Sequence, residues 1–507
     1  MSRVTLAVAT DTDSVPTRVT TLLAAAAVGV YLLIVIGATT TLSHAAAACT
    51  TWPACGVDLS NPRLAIAWGH RIAAALVGLL VLGAIVAAWR APTPRRAKTA
   101  LAVPFVLYPV QIGIGALAAT TSAEWISTAH LLCGVGIFTG LVVALAWTLE
   151  IDAPGTDTPA AAADTDARAA DAAPSAATAT EQVTAGTVSA DDSDEPAVVE
   201  NDVEPLSNRS PSPADEGLIE RARTVGTAYF RLMKPRLMWL LCLVAAAGMA
   251  LAAGPNLDAG TVVRVLGGGV LAIGASGTFN HVLERDIDRR MQRTADRPLA
   301  TDEVGVRNAM IFGCVLAVAS LGLFATVNLL SAALGLCAIL FYSVIYTLVL
   351  KPNTVQNTVL GGAAGALPAI IGWVGVTGKI GIPGLALAGV IFLWTPAHFY
   401  NLALAYKDDY ERGGFPMMPL VRGDRVTRRH ILWYLGATLL GASVLAAVAE
   451  LGWLYGAATV AFGGLFLWAV VRLHRERTED AAFRAFHASN AYLGAVLVAV
   501  VIDAVVL

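Results

Sequence analysis

Residues 280–298 read NHVLERDIDRRMQRTADRP and set Asn280, Glu284, Asp286 and Asp288 at the end of a long apolar run. Charge that dense beside hydrocarbon is costly and marks a functional site by default. A helix advances about 100° per residue, which places Glu284 roughly 40° and Asp288 roughly 80° round from Asn280, so these three oxygen-bearing side chains share one face. Asp286 points elsewhere, and Arg285, Arg289 and Arg293 fall on the opposite side, within reach of phosphate or of neighbouring carboxylates. Oxygen ligands and guanidinium groups in this arrangement suit a magnesium-bridged diphosphate.

Three further polar clusters are expected on the same side of the membrane: Lys234-Pro235-Arg236, the stretch 351–357 beginning with Lys351, and Lys407-Asp408-Asp409-Tyr410. Any one of them alone reads more readily as a basic anchor with local ion pairs. Four together converge on one mouth. Asn280, Glu284, Asp288 and Asp409 are the expected metal contacts, with Asp408 and Asp286 less central. Lys234, Arg236, Arg285, Lys351 and Lys407 are the expected diphosphate partners. Near the Lys407 cluster stands Trp394-Thr395-Pro396-Ala397-His398-Phe399, with His398 one turn after Trp394 and Asp409 roughly 20° round from His398 if the helix ran on. A histidine inside an apolar span is either a hydrogen-bonded core group or a ligand site. Tyr342, Tyr346, Tyr400 and Tyr406 fit interface anchors as well as substrate contacts.

The elements that must position these groups are membrane helices. The 507 residues are 56% hydrophobic and 14% charged, with a mean hydropathy of +0.65, which excludes an ordinary soluble protein. Apolar runs at 19–41, 64–89, 100–120 and 126–149 each match a bilayer crossing, and nine more follow at 237–253, 262–283, 307–326, 328–350, 356–376, 383–405, 430–450, 453–472 and 486–506. The expected fold is an all-α polytopic membrane protein: a four-helix bundle over residues 1–150 and a nine-helix bundle over 226–507. Between them, residues 151–220 carry 16 Asp or Glu against 2 Arg and no aromatic residue. Such a stretch cannot bury enough apolar surface to offset its chain entropy, and residues 151–225 are expected to be a disordered acidic linker. Lys and Arg gather at alternate loops; from residue 226 onward those expected outside carry only Lys379, which puts the N-terminus, the linker and the four clusters on the cytoplasmic side of the cell membrane. No Rossmann, P-loop or zinc motif appears, and nothing points to nucleic acid.

The 280–298 stretch resembles the first motif of the intramembrane prenyltransferase superfamily, usually N-x-x-x-D-x-x-x-D. With YFRLMKPR (229–236), LKPNTVQNTVLGGAAGALPAIIGW (350–373) and LWTPAHFYNLALAYKDDYERGGFPMMP (393–419), residues 226–507 resemble its UbiA-type branch that farnesylates protohaem IX, the haem O synthases. The resemblance implies transfer of a farnesyl group from its diphosphate to a vinyl group of haem b, with water added and magnesium required. It also implies that His398 and Trp394 contact haem. Glu284 stands where the superfamily usually has Asp, which keeps the carboxylate and lengthens its reach.

In the N-terminal part, His70 and His130 sit near the outer ends of two helices running in the same direction, a geometry that suits six-coordinate haem. Two isolated histidines are otherwise core or capping groups. The loop Cys49-Thr50-Thr51-Trp52-Pro53-Ala54-Cys55, followed by Gly69-His70-Arg71, resembles the N-terminal half of haem A synthase. That resemblance implies an external Cys49–Cys55 disulfide and a haem held by His70 and His130, and it displaces a lipoprotein reading of Ala46-Ala47-Ala48-Cys49. Two departures are visible: one four-helix half is present instead of two, and Ala67 stands where a carboxylate is expected before the first histidine. Haem binding without oxidation of the haem methyl group is the expectation.

Haem O synthesis is thus the leading reading, with haem b and farnesyl or geranylgeranyl diphosphate as substrates, membrane lipid around it, and haem A synthase or terminal oxidase assembly as expected partners. The alternatives are another intramembrane prenyltransferase with a quinone or lipid acceptor, or a non-catalytic membrane haem carrier. A pure carrier has no use for the acidic clusters.

Overall fold

The computed structural model describes residues 16–42, 45, 49, 51–53, 60–121, 124–150 and 218–506, and among them there is no strand. Thirteen helices among the described residues are long and apolar enough to cross a membrane. The first four are α1 (Thr17–Leu42), α2 (Pro62–Arg90), α3 (Arg95–Thr120) and α4 (Glu124–Leu149). After α5 (Leu218–Leu232) come α6 (Pro235–Ala253), α7 (Ala259–Leu283), the short α8 (Arg285–Asp288), α9 (Val306–Ala325) and α10 (Leu329–Leu340). A π-helix, Phe341–Leu350, continues α10 into α11 (Lys351–Asn353). Then follow α12 (Asn357–Thr377), α13 (Ile382–Ala405), the short α14 (Lys407–Arg412) and α15 (Met418–Arg422), α16 (Asp424–Ala449), α17 (Trp453–Glu476) and α18 (Glu479–Val505).

The chain is an all-α polytopic membrane protein, and the apolar runs locate every span. The ends differ most where polar residues extend a helix beyond its hydrocarbon stretch. The apolar run of the last span begins at 486, yet α18 begins at Glu479, because the Thr478 hydroxyl caps the Ala481 amide at 3.2 Å and Glu479 and Asp480 occupy the first turn.

The expected linker 151–225 lies outside the described residues up to 217. Its last part is helical, since α5 starts at Leu218 and turns Ala228 and Leu232 into a small core with Leu299, Val304 and Ala309. Described residues up to 150 and from Thr224 onward belong to one compact unit. Within it α1 and α4 pack on α16 and α17. Tyr31 donates to the Leu439 carbonyl at 3.0 Å, Arg475 donates to Thr20 Oγ1 at 2.6 Å, and buried Glu150 lies 3.2 Å from Arg425 and 3.4 Å from His474.

Two features of this bundle position the site. Helices α6 and α12 approach backbone to backbone: a Cβ on Gly248 would strike the Ala369 carbonyl, and one on Gly372 the Ala245 carbonyl. The π-helix widens the turn, so that the Thr347 hydroxyl reaches the carbonyl of Tyr342 at 2.9 Å while also meeting Asn280 of α7.

Candidate active site

Helix α7 does not continue through the acidic motif as a single rod. It ends at Leu283, Glu284 takes φ −100° and ψ 5° as the cap, and α8 starts a new turn. The single-face geometry read from the sequence is therefore replaced by a bend, yet Asn280, Glu284 and Asp288 are all buried. Each meets a cation. Lys234 donates to the Asn280 carboxamide oxygen and, at 3.2 Å, to the Tyr342 hydroxyl. The Asn280 amide donates to Thr347 Oγ1 at 3.0 Å. Lys351 Nζ lies 2.6 Å from Glu284, and Arg297 Nη1 lies 2.8 Å from each oxygen of Asp288.

Burial raises the Glu284 carboxyl, but Lys351 and Lys234 outweigh it and hold this group below the usual range. At Asp288 burial prevails over Arg297, and its carboxyl lies above the usual range. Burial, reinforced by Arg297, pushes the Lys234 amine down to about 7 against the opposing pull of Glu284. The backbone at Lys234 is left-handed, φ 56° and ψ 57°, at the junction of α5 and α6. A lysine held in that conformation is a strained position tied into the site.

The second acidic patch makes contacts that its spacing does not suggest. Tyr406 breaks the chain between α13 and α14, so Asp409 is not on the His398 helix. Asp409 accepts from the amides of Gln292 and Arg293, each at 3.0 Å, and from Arg412 at 2.5 Å. Although burial opposes it, the Arg412 and backbone hydrogen bonds hold the Asp409 carboxyl low. Asp409 thus clamps the loop that follows the first motif. Arg293 in that loop lies over the rings of Tyr406 and Tyr410 at 4.8 and 5.3 Å.

Asp408 is exposed. Of the five expected diphosphate cations, Lys234 and Lys351 reach the buried cluster. Arg285 shares Asp302 with Arg289, both at 2.7 Å; Lys407 pairs with Asp424 at 2.9 Å; Arg236 is exposed. Arg297 belongs to the cluster and was not singled out by spacing, because only the folded loop returns it to Asp288; Tyr342, which the sequence left between interface anchor and substrate contact, meets the cluster through Lys234. No group of three or more His, Cys, Asp or Glu that could hold a metal occurs among the described residues. The buried donors are one carboxamide and two carboxylates, all oxygen, which fits magnesium completed by substrate phosphate.

His398 is buried in α13, stacked at 4.3 Å on Trp394 and at 4.3 Å on Phe486 of α18. Its Nδ1 lies 2.6 Å from Ser489 Oγ. In the N-terminal helices, His70 and His130 are half-buried, and the buried Nδ1 atom of each has no hydrogen-bond partner among the described residues. His130 Nε2 lies 3.1 Å from the Gln111 amide. Arg71 ties α2 to the preceding loop through the carbonyls of Pro53 at 2.9 Å and Cys49 at 3.4 Å. Cys49 is disulfide-bonded; Cys55, its expected partner, lies outside the described residues.

A nine-helix membrane bundle with a buried asparagine, two carboxylates and three cations at one end is the architecture of an intramembrane prenyltransferase. Residues 241–493 match the UbiA prenyltransferase family, and residues 57–199 match a family described as cytochrome oxidase assembly protein, COX15-CtaA. The chain is 60% identical to the protoheme IX farnesyltransferase of Haloarcula marismortui over 91% of its length and 93% of the relative. It is 60% identical to protoheme IX farnesyltransferase 1 of Natronomonas pharaonis, covering 90% and 92% of the two chains, and 56% identical to a protoheme IX farnesyltransferase of Halobacterium salinarum, covering 91% and 96%. The chain belongs to the protohaem IX farnesyltransferase family.

Proposed function

We propose that this prenyltransferase transfers a farnesyl group from farnesyl diphosphate to a vinyl group of haem b, with addition of water, giving hydroxyethylfarnesyl haem. The observation that carries this reading is the buried Asn280, Glu284 and Asp288 cluster with Lys234, Lys351 and Arg297 among its side chains. Three cations beside three oxygen donors balance a diphosphate and its counterion, and they stabilise charge as it develops on the leaving oxygen. Asn280, Glu284 and Asp288 would hold magnesium, which when bound supplies further neutralisation of the leaving group. Tyr342, whose hydroxyl accepts from Lys234 at 3.2 Å, stacks on Tyr346 at 5.6 Å, and the pair offers ring faces to an allylic cation. The electron-rich vinyl carbon bonds to farnesyl C1 as the C–O bond to diphosphate breaks. Water then adds to the resulting cation beside the porphyrin and releases one proton.

His398 and Trp394 are the proposed haem contacts of this domain, and the four N-terminal helices are proposed to bind a second haem through His70 and His130. Two buried imidazole nitrogens without partners among the described residues support that second site. Its likeness to a cytochrome oxidase assembly family supports haem A synthase or an assembling terminal oxidase as the recipient of product. The gathering of Lys and Arg at alternate helix ends supports the reading that the diphosphate site, the N-terminus and the linker face the cytoplasmic side of the cell membrane. Membranes containing the chain, supplied with haem b, magnesium and farnesyl or geranylgeranyl diphosphate in turn, test the reaction and its donor by the mass of the haem product. A haem that gains no prenyl group from either donor overturns the proposal.

A further inference from the structure

Ser489 of α18 is fully buried, carries no charge and stands far along the chain from every motif that points to chemistry. Its oxygen makes two short contacts. One, at 2.7 Å, is to the carbonyl oxygen of Phe486 one turn earlier; the other, at 2.6 Å, is to Nδ1 of His398. A carbonyl oxygen can only accept, and a serine hydroxyl has a single proton, so that proton lies between Ser489 and Phe486. The contact with His398 must then use a proton carried by the imidazole. Neutral imidazole carries one proton, which leaves Nε2 bare.

We infer that Ser489 is a positioning residue for the haem substrate: it fixes the His398 proton on Nδ1, so that the unprotonated Nε2 is presented as a ligand to the haem iron. The inference rests on the reading of His398 as a haem contact. Among the described residues Nε2 has no hydrogen-bond partner of its own. The ring cannot readily turn to exchange its nitrogens, because Trp394 and Phe486 sandwich it at 4.3 Å on both faces. Ser489 also fixes one of those faces, since its backbone carbonyl accepts from Trp394 Nε1 at 3.0 Å. One residue of α18 therefore sets the orientation and the tautomer of the haem-facing pair on α13. Ligating histidines depend on such a partner for the second ring nitrogen.

The test uses the full chain purified in detergent, with Ser489→Ala, Ser489→Thr and His398→Ala compared in turnover and in the absorption spectrum of added haem b. Ser489→Ala is expected to raise the KM for haem b about 10- to 100-fold and to alter the haem spectrum, with the KM for farnesyl diphosphate unchanged. Ser489→Thr, which keeps the hydroxyl, is expected to restore both. If Ser489→Ala keeps the parent KM for haem and the parent spectrum while His398→Ala loses them, the role of Ser489 is overturned. If it weakens haem and farnesyl diphosphate alike, Ser489 supports helix packing and the inference is equally overturned. If His398→Ala itself leaves haem binding unchanged, the reading of His398 falls, and the inference with it.

Discussion

Arg297 reaches back nine residues along the chain to hold both oxygens of Asp288 at 2.8 Å. Asp288 is almost fully buried, whereas Arg297 keeps a quarter of its side chain exposed. The acidic motif is thus not an open row of carboxylates but a set of ion pairs, closed by Arg297 of the following loop and by Lys351 of α11.

Replacing Arg297 with Gln leaves the Asp288 carboxylate buried and unpaired, a change that costs about 3 kcal/mol or more in comparable pairs. The Asp288 carboxyl already titrates above its usual range because burial outweighs Arg297, and the substitution raises it further. A raised carboxyl contributes stability below its unfolded value and loses it as pH rises through the folded one. The destabilisation by Arg297→Gln is therefore expected to be larger at pH 8 than at pH 5 in detergent melting curves. Equal losses at the two pH values contradict the buried pair.

Lys234 carries a pH signature of its own. Its amine is pushed down to about 7 by burial, with Arg297 adding to the effect, so in the free enzyme its positive charge is present below that pH and lost above it. The value of kcat/KM for farnesyl diphosphate should accordingly fall as pH rises from 6 to 8.5. Lys234→Arg, whose guanidinium stays charged, is expected to flatten that limb while leaving some activity. A limb of unchanged position in Lys234→Arg assigns the titration elsewhere.

Glu150 joins the end of α4 to α16 and α17 and is surrounded by Arg425, Arg428 and His474. Burial still outweighs the arginines and raises its carboxyl to about 7. Its contribution to stability is then complete below the ordinary glutamate value of about 4.3 and is lost as pH rises through about 7. Parent protein should lose thermal stability across that window, and Glu150→Gln should not. Parallel curves for the two proteins rule out Glu150 as the source.

The two N-terminal histidines make a spectroscopic prediction. Purified chain should show a low-spin haem spectrum that either His70→Ala or His130→Ala removes without abolishing farnesyl transfer. Gln111, 3.1 Å from His130 Nε2, should modulate that spectrum when replaced by Ala. Retention of the full spectrum in the double variant removes the N-terminal haem site.

Hydropathy alone located the spans, because a bilayer fixes the length and apolarity of every crossing. Asn280, Glu284 and Asp288 were legible as a site because buried acid at a helix end needs a reason. What spacing could not show is where a helix stops. Extending α7 through Glu284 and α13 through Tyr406 as straight rods predicted a shared face for the motif and placed Asp409 beside His398. The caps at those two residues instead turn Asp288 toward Arg297 and Asp409 toward the amides of Gln292 and Arg293. Arg285 and Lys407 are paired with Asp302 and Asp424, partners that spacing could not reveal, since ion pairing across a loop leaves no periodic trace. Ser489 was invisible for the same reason: a lone serine in an apolar helix acquires meaning only from the imidazole packed against it.

The most direct test of the diphosphate cluster is the mass of haem recovered after incubation of membranes with haem b, farnesyl diphosphate and magnesium, for the parent chain and for Glu284→Gln and Asp288→Asn. The expected result is a gain of one farnesyl group and one hydroxyl on parent haem, lost on chelation of the metal and reduced at least 100-fold in both variants, as for removal of a group that stabilises charge in the transition state. Undiminished product from Asp288→Asn, or transfer that persists in full after chelation, contradicts the assignment of these carboxylates to a magnesium-diphosphate site.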